Sequence, residues 1–149
     1  MEPKGIQFRK AKERDKVALC AFCDFWLRNG GTKDKIPGAS NDYFIPHGRM
    51  EAYLQKYKVN LALCAGSIVG FSVVTSENVL IHLLVAGTFR GRGIGKSLLK
   101  RARPSQIRSK TDQSTGNPAS FYRKSGYVRV HKKKTGPNRN IQLFKSSAL

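Results

Sequence analysis

Residues 6–9 (IQFR) alternate apolar and polar side chains, the period-two pattern of a strand with one buried face. From Lys12 to Leu27 the period changes. Val17, Leu19, Cys20, Cys23 and Trp26 recur at helical spacing and predict an amphipathic helix that buries them. Residues 29–46 hold Gly30, Gly31, Pro37, Gly38, Asn41 and Pro46 and read as a loop. In residues 48–57 (GRMEAYLQKY), Met50, Tyr53, Leu54 and Tyr57 stand three and four apart, the stripe of a short second helix. Two strands follow, 59–65 and 68–75, with Gly66-Ser67 as the expected two-residue hairpin link. Residues 79–86 (VLIHLLVA) are almost wholly apolar, as a central strand covered on both faces requires.

That strand runs into GTFRGRGIG and a helix from Gly93 to about Arg103, stopped by Pro104. Residues 106–111 (QIRSKT) read as a weak, polar strand. Pro118 to Lys124 is a helix with Gly126 placed to cap its end. YVRV and IQLF, around a Gly-Pro-Asn turn, form a closing hairpin. The order β-α-α-β-β-β-α-β-α-β-β predicts an α/β fold, a single mixed β-sheet flanked by helices. With 149 residues and 40 % hydrophobic content, the expectation is one domain over 1–149 with one core. No run approaches the roughly 18–20 apolar residues of a membrane span, and the N-terminus lacks the order of a secretory signal. The expectation is a soluble, cytoplasmic protein with no membrane partner.

Charge changes this picture most. Lys and Arg number 28 against 9 acids, for a formal net charge of +19. The excess is lopsided: Asn78 to Leu149 holds sixteen basic residues and one acid, Asp112, whereas the first 77 residues hold twelve and eight. Such a charge repels itself, so a polyanion that neutralises it is the expected partner: nucleic acid first, with an acidic protein or a bacterial partner complex behind it. Charge alone does not separate DNA from RNA. The cations named for phosphate contact are Arg108, Lys132 and Lys133, together with Arg101, Arg103, Lys110, His131, Lys134 and Arg139. The three cysteines are an odd count, against a disulfide framework. Cys20 and Cys23 have C-x-x-C spacing, but no second ligand pair follows, so they read as buried reduced thiols and no metal is expected.

The candidate chemistry lies in Arg90-Gly91-Arg92-Gly93-Ile94-Gly95. Closely spaced glycines let a backbone approach a ligand, and the unpaired N–H groups of the next helix attract a diphosphate. A dinucleotide fingerprint needs its first glycine directly after the strand and an acid about 20 residues later, and none is placed there. A P-loop needs a glycine five residues before Gly95, where Arg90 stands.

Residues 79–99 resemble the strand-loop-helix core of GNAT acyltransferases. The family's Gln/Arg-x-x-Gly-x-Gly/Ala signature is met by Arg90, Gly93 and Gly95, with Leu84-Val85 before it and Ser97-Leu98-Leu99 after it. Phe121-Tyr122-Arg123-Lys124-Ser125-Gly126-Tyr127 is similar to a second family block. The resemblance implies a GNAT fold with coenzyme A bound at splayed central strands, and direct transfer of an acyl group from acetyl-CoA or another acyl-CoA to an amine. It implies Leu84, Val85, Arg90, Gly91, Arg92, Gly93, Ile94, Gly95, Lys96 and Ser97 around the coenzyme, and Tyr122 as the general acid for the departing thiolate. His47 and Tyr43 fall in the region that lines the family's acceptor pocket, His47 as a base candidate. His82, in the central strand, reads as a satisfied core histidine or as an acceptor contact. Asp112, alone among cations, is expected to have a lowered pKa and to orient a cationic or amino-bearing acceptor. The family's asparagine before the tyrosine is missing, since Thr115 takes its place. Asp112, Gly116 and Tyr122 also resemble an arrangement in phage Mom-type enzymes, which modify adenine in DNA. A non-catalytic, nucleic-acid-binding GNAT-like module is the reading of another class; the intact loop and Tyr122 speak against it.

Overall fold

The computed structural model describes residues 3–28, 47–111, 118–136 and 139–147. Seven strands form one sheet: β1 (Ile6–Lys10), β2 (Lys58–Cys64), β3 (Ser67–Val74), β4 (Val79–Val85), β5 (Gln106–Thr111), β6 (Tyr127–Gly136) and β7 (Arg139–Ser146), in the spatial order β1-β2-β3-β4-β5-β7-β6. Among the described strand pairs, β4–β5 alone is parallel. Helices α1 (Lys16–Cys23) and α2 (His47–Lys56) cover one face, α3 (Ile94–Ala102) and α4 (Ala119–Lys124) the other. A single 3-10 turn, Glu13–Asp15, leads into α1, and a π-helical turn, Asp24–Arg28, follows it. The order of elements agrees with the one the sequence predicts.

Two local expectations need correction. Val17 is 65 % exposed, because Leu19, Cys20, Phe22 and Cys23 form the buried stripe of α1 and a residue two positions before Leu19 points away from it. The β2–β3 link is Ala65-Gly66, one residue earlier than expected. Cys64 pairs with Ser67, and both link residues have positive φ (50° and 84°), the mirror-image turn that suits the twist of a hairpin. Cys20 and Cys23 are buried and free, as the sequence predicts, and burial raises the pKa of both thiols.

The feature that positions the site is where β4 and β5 part. They pair only at Val79–Gln106 and Leu80–Ile107. Beyond Leu80, β4 keeps β3 as a neighbour while β5 continues against β7, so the sheet opens into a cleft. A bulge sits at the same point. Val73 pairs with His82 and Val74 with Leu80, so Ile81 is an extra residue. Leu80 therefore faces the α3/α4 core, whereas Ile81 and His82 both turn towards α1 and α2.

Candidate active site in the split sheet

The glycine loop leaves the end of β4 and turns through Gly87–Phe89 into α3. A Cβ on Gly87 would stand 3.0 Å from the Trp26 ring, so the loop lies against the end of the first helical segment. Gly91 and Gly93 have φ of 79° and 83°, a region that costs other residues energy, and nothing lies within 4 Å of a Cβ built on either. Gly93 caps α3 without any side-chain hydrogen bond to the helix. The first turn of α3 contains no acid, although acids are favoured at a helix N-terminus. Exposed Arg90, Arg92 and Lys96 surround it instead. Cations against the positive end of a helix are an unfavourable arrangement until an anion joins them, and a diphosphate meets that need. The Arg92 guanidinium lies over the Phe89 ring at 4.8 Å, and Arg90 Nε donates to the Val85 carbonyl at 3.4 Å.

Gly95 and Gly70 let α3 sit close to the sheet. A Cβ on Gly70 would meet the Leu84 carbonyl oxygen at 3.1 Å and the Leu98 and Ile94 side chains at 3.2 and 3.4 Å. One on Gly95 would make ordinary contact with Phe121 and Val85 at 3.5 and 3.6 Å, consistent with a signature that allows Gly or Ala there. The expected coenzyme residues divide accordingly. Ile94 and Leu84 place their side chains in the core, and Ser97 is buried on α3, so these can meet a ligand only through the backbone. Arg90, Gly91, Arg92, Gly93 and Lys96 are exposed around the helix start. The strand edge of β4 beyond Leu80, Val85 included, faces the gap left by β5 and offers backbone groups along it.

Tyr122 lies on α4, in the cluster with Leu80 and Ile107, the last paired residues before the cleft opens. Its ring packs against Phe144 and Phe121, with centroids 5.2 and 5.4 Å away. Burial pushes its phenol well above the ordinary tyrosine value, so it holds its proton throughout the neutral range. His82 is half-buried on the opposite face. Its Nε2 is 3.4 Å from Tyr53 Oη, and its ring stacks near Phe71 at 6.3 Å. Burial also raises the Tyr53 pKa. The bulge and the Tyr53 partner escape sequence reasoning, because the two residues lie 29 positions apart with no local pattern to join them.

Other expected residues are scattered or lie outside the description. Tyr43 and Asp112 fall outside the described residues, as do Thr115 and Gly116. His47 begins α2, but its side chain is also outside them. The Mom-type resemblance therefore keeps only Tyr122 within view. Arg108, Lys132 and Lys133 are exposed, on β5 and β6. No group of three metal-ligating side chains occurs among the described residues, nor any helix long and apolar enough to cross a membrane.

Residues 55–129 match the family model of the acetyltransferase (GNAT) domain, half the chain. Sequence comparison with curated proteins finds no match. Several solved structures share the fold. An N-acetyltransferase from Rhodopseudomonas palustris aligns with a TM-score of 0.76 at 18 % identity, over 98 % of both chains. An N-acetyltransferase from Thermoplasma acidophilum in complex with coenzyme A aligns at TM-score 0.64 and 18 % identity, over 94 % of this chain and 98 % of that one. An acetyltransferase from Salmonella typhimurium with its cofactor acetyl-CoA aligns at 0.68 and 12 %, over 95 % and 94 %. A split mixed sheet, a glycine loop that opens a helix over the cleft, and a match spanning both sequence blocks agree: this chain belongs to the GNAT family of acetyl-CoA-dependent N-acetyltransferases.

Proposed function

We propose that this protein transfers an acetyl group from acetyl-CoA to an amine carried on a nucleic acid, with Tyr122 as the proton donor to the departing sulfur. The observation that carries the acceptor assignment is the charge of the sheet beyond the cleft. Strands β5, β6 and β7 contain eight Lys or Arg residues and His131, and no Asp or Glu. Arg108, Arg129, Lys132, Lys133, Lys134 and Lys145 are all exposed. A small-molecule amine is itself a cation at neutral pH and gains nothing from such a surface. A phosphate backbone does.

The coenzyme supplies the activated acyl thioester. The chain's own residues would do the rest. Backbone amides at the start of α3, with Arg90 and Arg92, would hold a diphosphate. Backbone groups along the β4 edge would fix an extended amide-bearing arm. Tyr122, kept protonated by burial at the apex of the cleft, supplies a hydroxyl hydrogen. The amine must arrive uncharged to act as a nucleophile.

The test is incubation of the purified protein with radiolabelled acetyl-CoA and, separately, DNA, tRNA, polyamine and a lysine-rich protein. Label on nucleic acid alone, abolished by nuclease, supports the reading. Label only on protein or polyamine sinks it. Tyr122→Phe keeps the packed ring and removes the hydroxyl. Its turnover is expected to fall by about 100-fold or more, with coenzyme affinity unchanged; a wild-type rate would remove Tyr122 from the mechanism.

A further inference from the structure

The register of the last three strands sorts their cations between two faces. Tyr127 and Phe144 belong to the α4 core, and Arg129 pairs with Phe144, so Arg129 lies on the α4 side. Its guanidinium donates to Gln142 at 3.1 Å on that same side. Lys132 pairs with Gln142 and Lys134 with Asn140, which places both there too. The opposite face is different. Arg108 pairs with Leu143, which pairs with His131; Lys110 pairs with Ile141, which pairs with Lys133; Gln106 pairs with Lys145, which pairs with Val128.

That face has a plan. β7 runs down its middle with half-buried Ile141 and Leu143, flanked by Arg108 on β5 and by His131 and Lys133 on β6, while Lys145 continues the line of β7 and Val128 that of β6. Arg108, His131, Lys133 and Lys145 are exposed, as is Val128 at 52 %. The face continues the side of the sheet to which His82 turns at the cleft. Among the described residues, α1 packs over β3 and α2 over β2.

We infer that the β5–β7–β6 face opposite α4 is a docking platform for single-stranded nucleic acid, whose phosphates meet Arg108, His131, Lys133 and Lys145 while unstacked bases lie on Leu143, Ile141 and Val128. The inference rests on the nucleic-acid reading above and narrows it. Basic side chains two residues apart along a strand, as His131 and Lys133 are on β6, recur about every 6.7 Å, and the two flanking strands stand about 9.6 Å apart. Such rows hold a backbone. Leu143 and Ile141 between them, with Val128 beside Lys145 at one end, have no use against a duplex, which presents phosphates outward and keeps base faces stacked. An unpaired strand offers both. It also exposes base amines that a duplex hides, so the acceptor would reach the cleft along the same face.

The test is fluorescence anisotropy of the whole protein with labelled twelve-nucleotide probes: oligothymidine, oligouridine, an abasic strand of equal length and a duplex. Each is titrated over a range of salt. The single strands should bind most tightly, the abasic strand and duplex at least several-fold more weakly. Arg108→Ala/Lys133→Ala should weaken binding about tenfold and flatten the log–log salt slope by about 1.4, near 0.7 per lost contact. Lys132→Ala/Lys134→Ala, the same charge change on the other face, should cost less than about threefold. Unchanged acetyl-CoA binding shows that each variant is folded. Equal losses from the two pairs, or an abasic strand or duplex that binds as tightly as oligothymidine, overturn the platform while leaving the nucleic-acid reading standing. No binding to any probe at low salt overturns both and turns attention to an acidic protein.

Discussion

Replacing Gly93 and Gly95 by alanine, one at a time, should have opposite effects although the two lie within one signature. Gly93 has φ 83°, where an L-residue pays about 1–2 kcal/mol, and its Cβ would enter open space, so no packing is gained in return. At about 2–4 °C per kcal/mol for a chain near this size, Gly93→Ala should lower the melting temperature by about 2–8 °C. Gly95 is helical, and its Cβ would make ordinary contact with Phe121 and Val85. Gly95→Ala should gain up to about 1 kcal/mol of helix propensity and raise the melting temperature by about 2–4 °C. Binding gives an independent readout. If relaxation at Gly93 turns one amide away from the diphosphate, the loss of a charge-assisted hydrogen bond, about 1.5–3 kcal/mol, weakens coenzyme about 10- to 100-fold. Differential scanning fluorimetry and titration calorimetry with coenzyme A measure both. A Gly93→Ala protein with wild-type stability and affinity would refute the left-handed cap as the basis of the site. A destabilised Gly95→Ala would refute the packing of α3 on Phe121 and Val85.

Three further outcomes are expected. The buried Tyr127 hydroxyl donates to the Pro104 carbonyl at 2.7 Å, tying the start of β6 to the end of α3; Tyr127→Phe should cost about 1–3 kcal/mol in urea unfolding. Arg9 donates to both oxygens of Asp15 at 2.9 Å, and the Lys12 amide donates to it at 2.7 Å, so the Asp15 pKa is lowered, chiefly by the Arg9 hydrogen bonds. A lowered folded-state pKa gives stability that is present above the unfolded value and lost as pH falls through the folded one. Asp15→Asn should therefore cost about 1–2 kcal/mol at pH 7, with the gap to wild type closing below about pH 4. Burial raises the Cys20 and Cys23 thiol pKa values, so iodoacetamide at pH 7.5 should leave both unlabelled in the folded protein and label both in urea; rapid labelling of the native protein would contradict their burial.

Most of the scaffold was legible in the chain because its signals are local. Alternation, an unbroken apolar run and helical spacing, together with turn residues, placed the described strands and α-helices in order. Val17 shows the limit: an apolar residue inside a helical stretch says nothing of which stripe the core selects until its neighbours are packed. Ala65 shows another, since a two-residue hairpin link is fixed by cross-strand register as well as by its glycine.

The candidate site divides along the same line. Arg90, Gly93 and Gly95 were readable because close backbone approach and an open helix start demand particular residues at fixed spacing. Tyr122 was named through its sequence block, and the structure sets it on α4 in the cluster with Leu80 and Ile107. The sequence by itself determined the order of elements, the glycine loop and the excess of cations in its second half. Only the tertiary structure decided that β4 and β5 part after Leu80, that a bulge sends Ile81 and His82 to the same face, and that Lys133 rather than Lys132 lies on the face opposite α4. The reason is physical: each of these depends on which strand lies beside which and in what register, and that is settled by contacts between residues far apart in the chain.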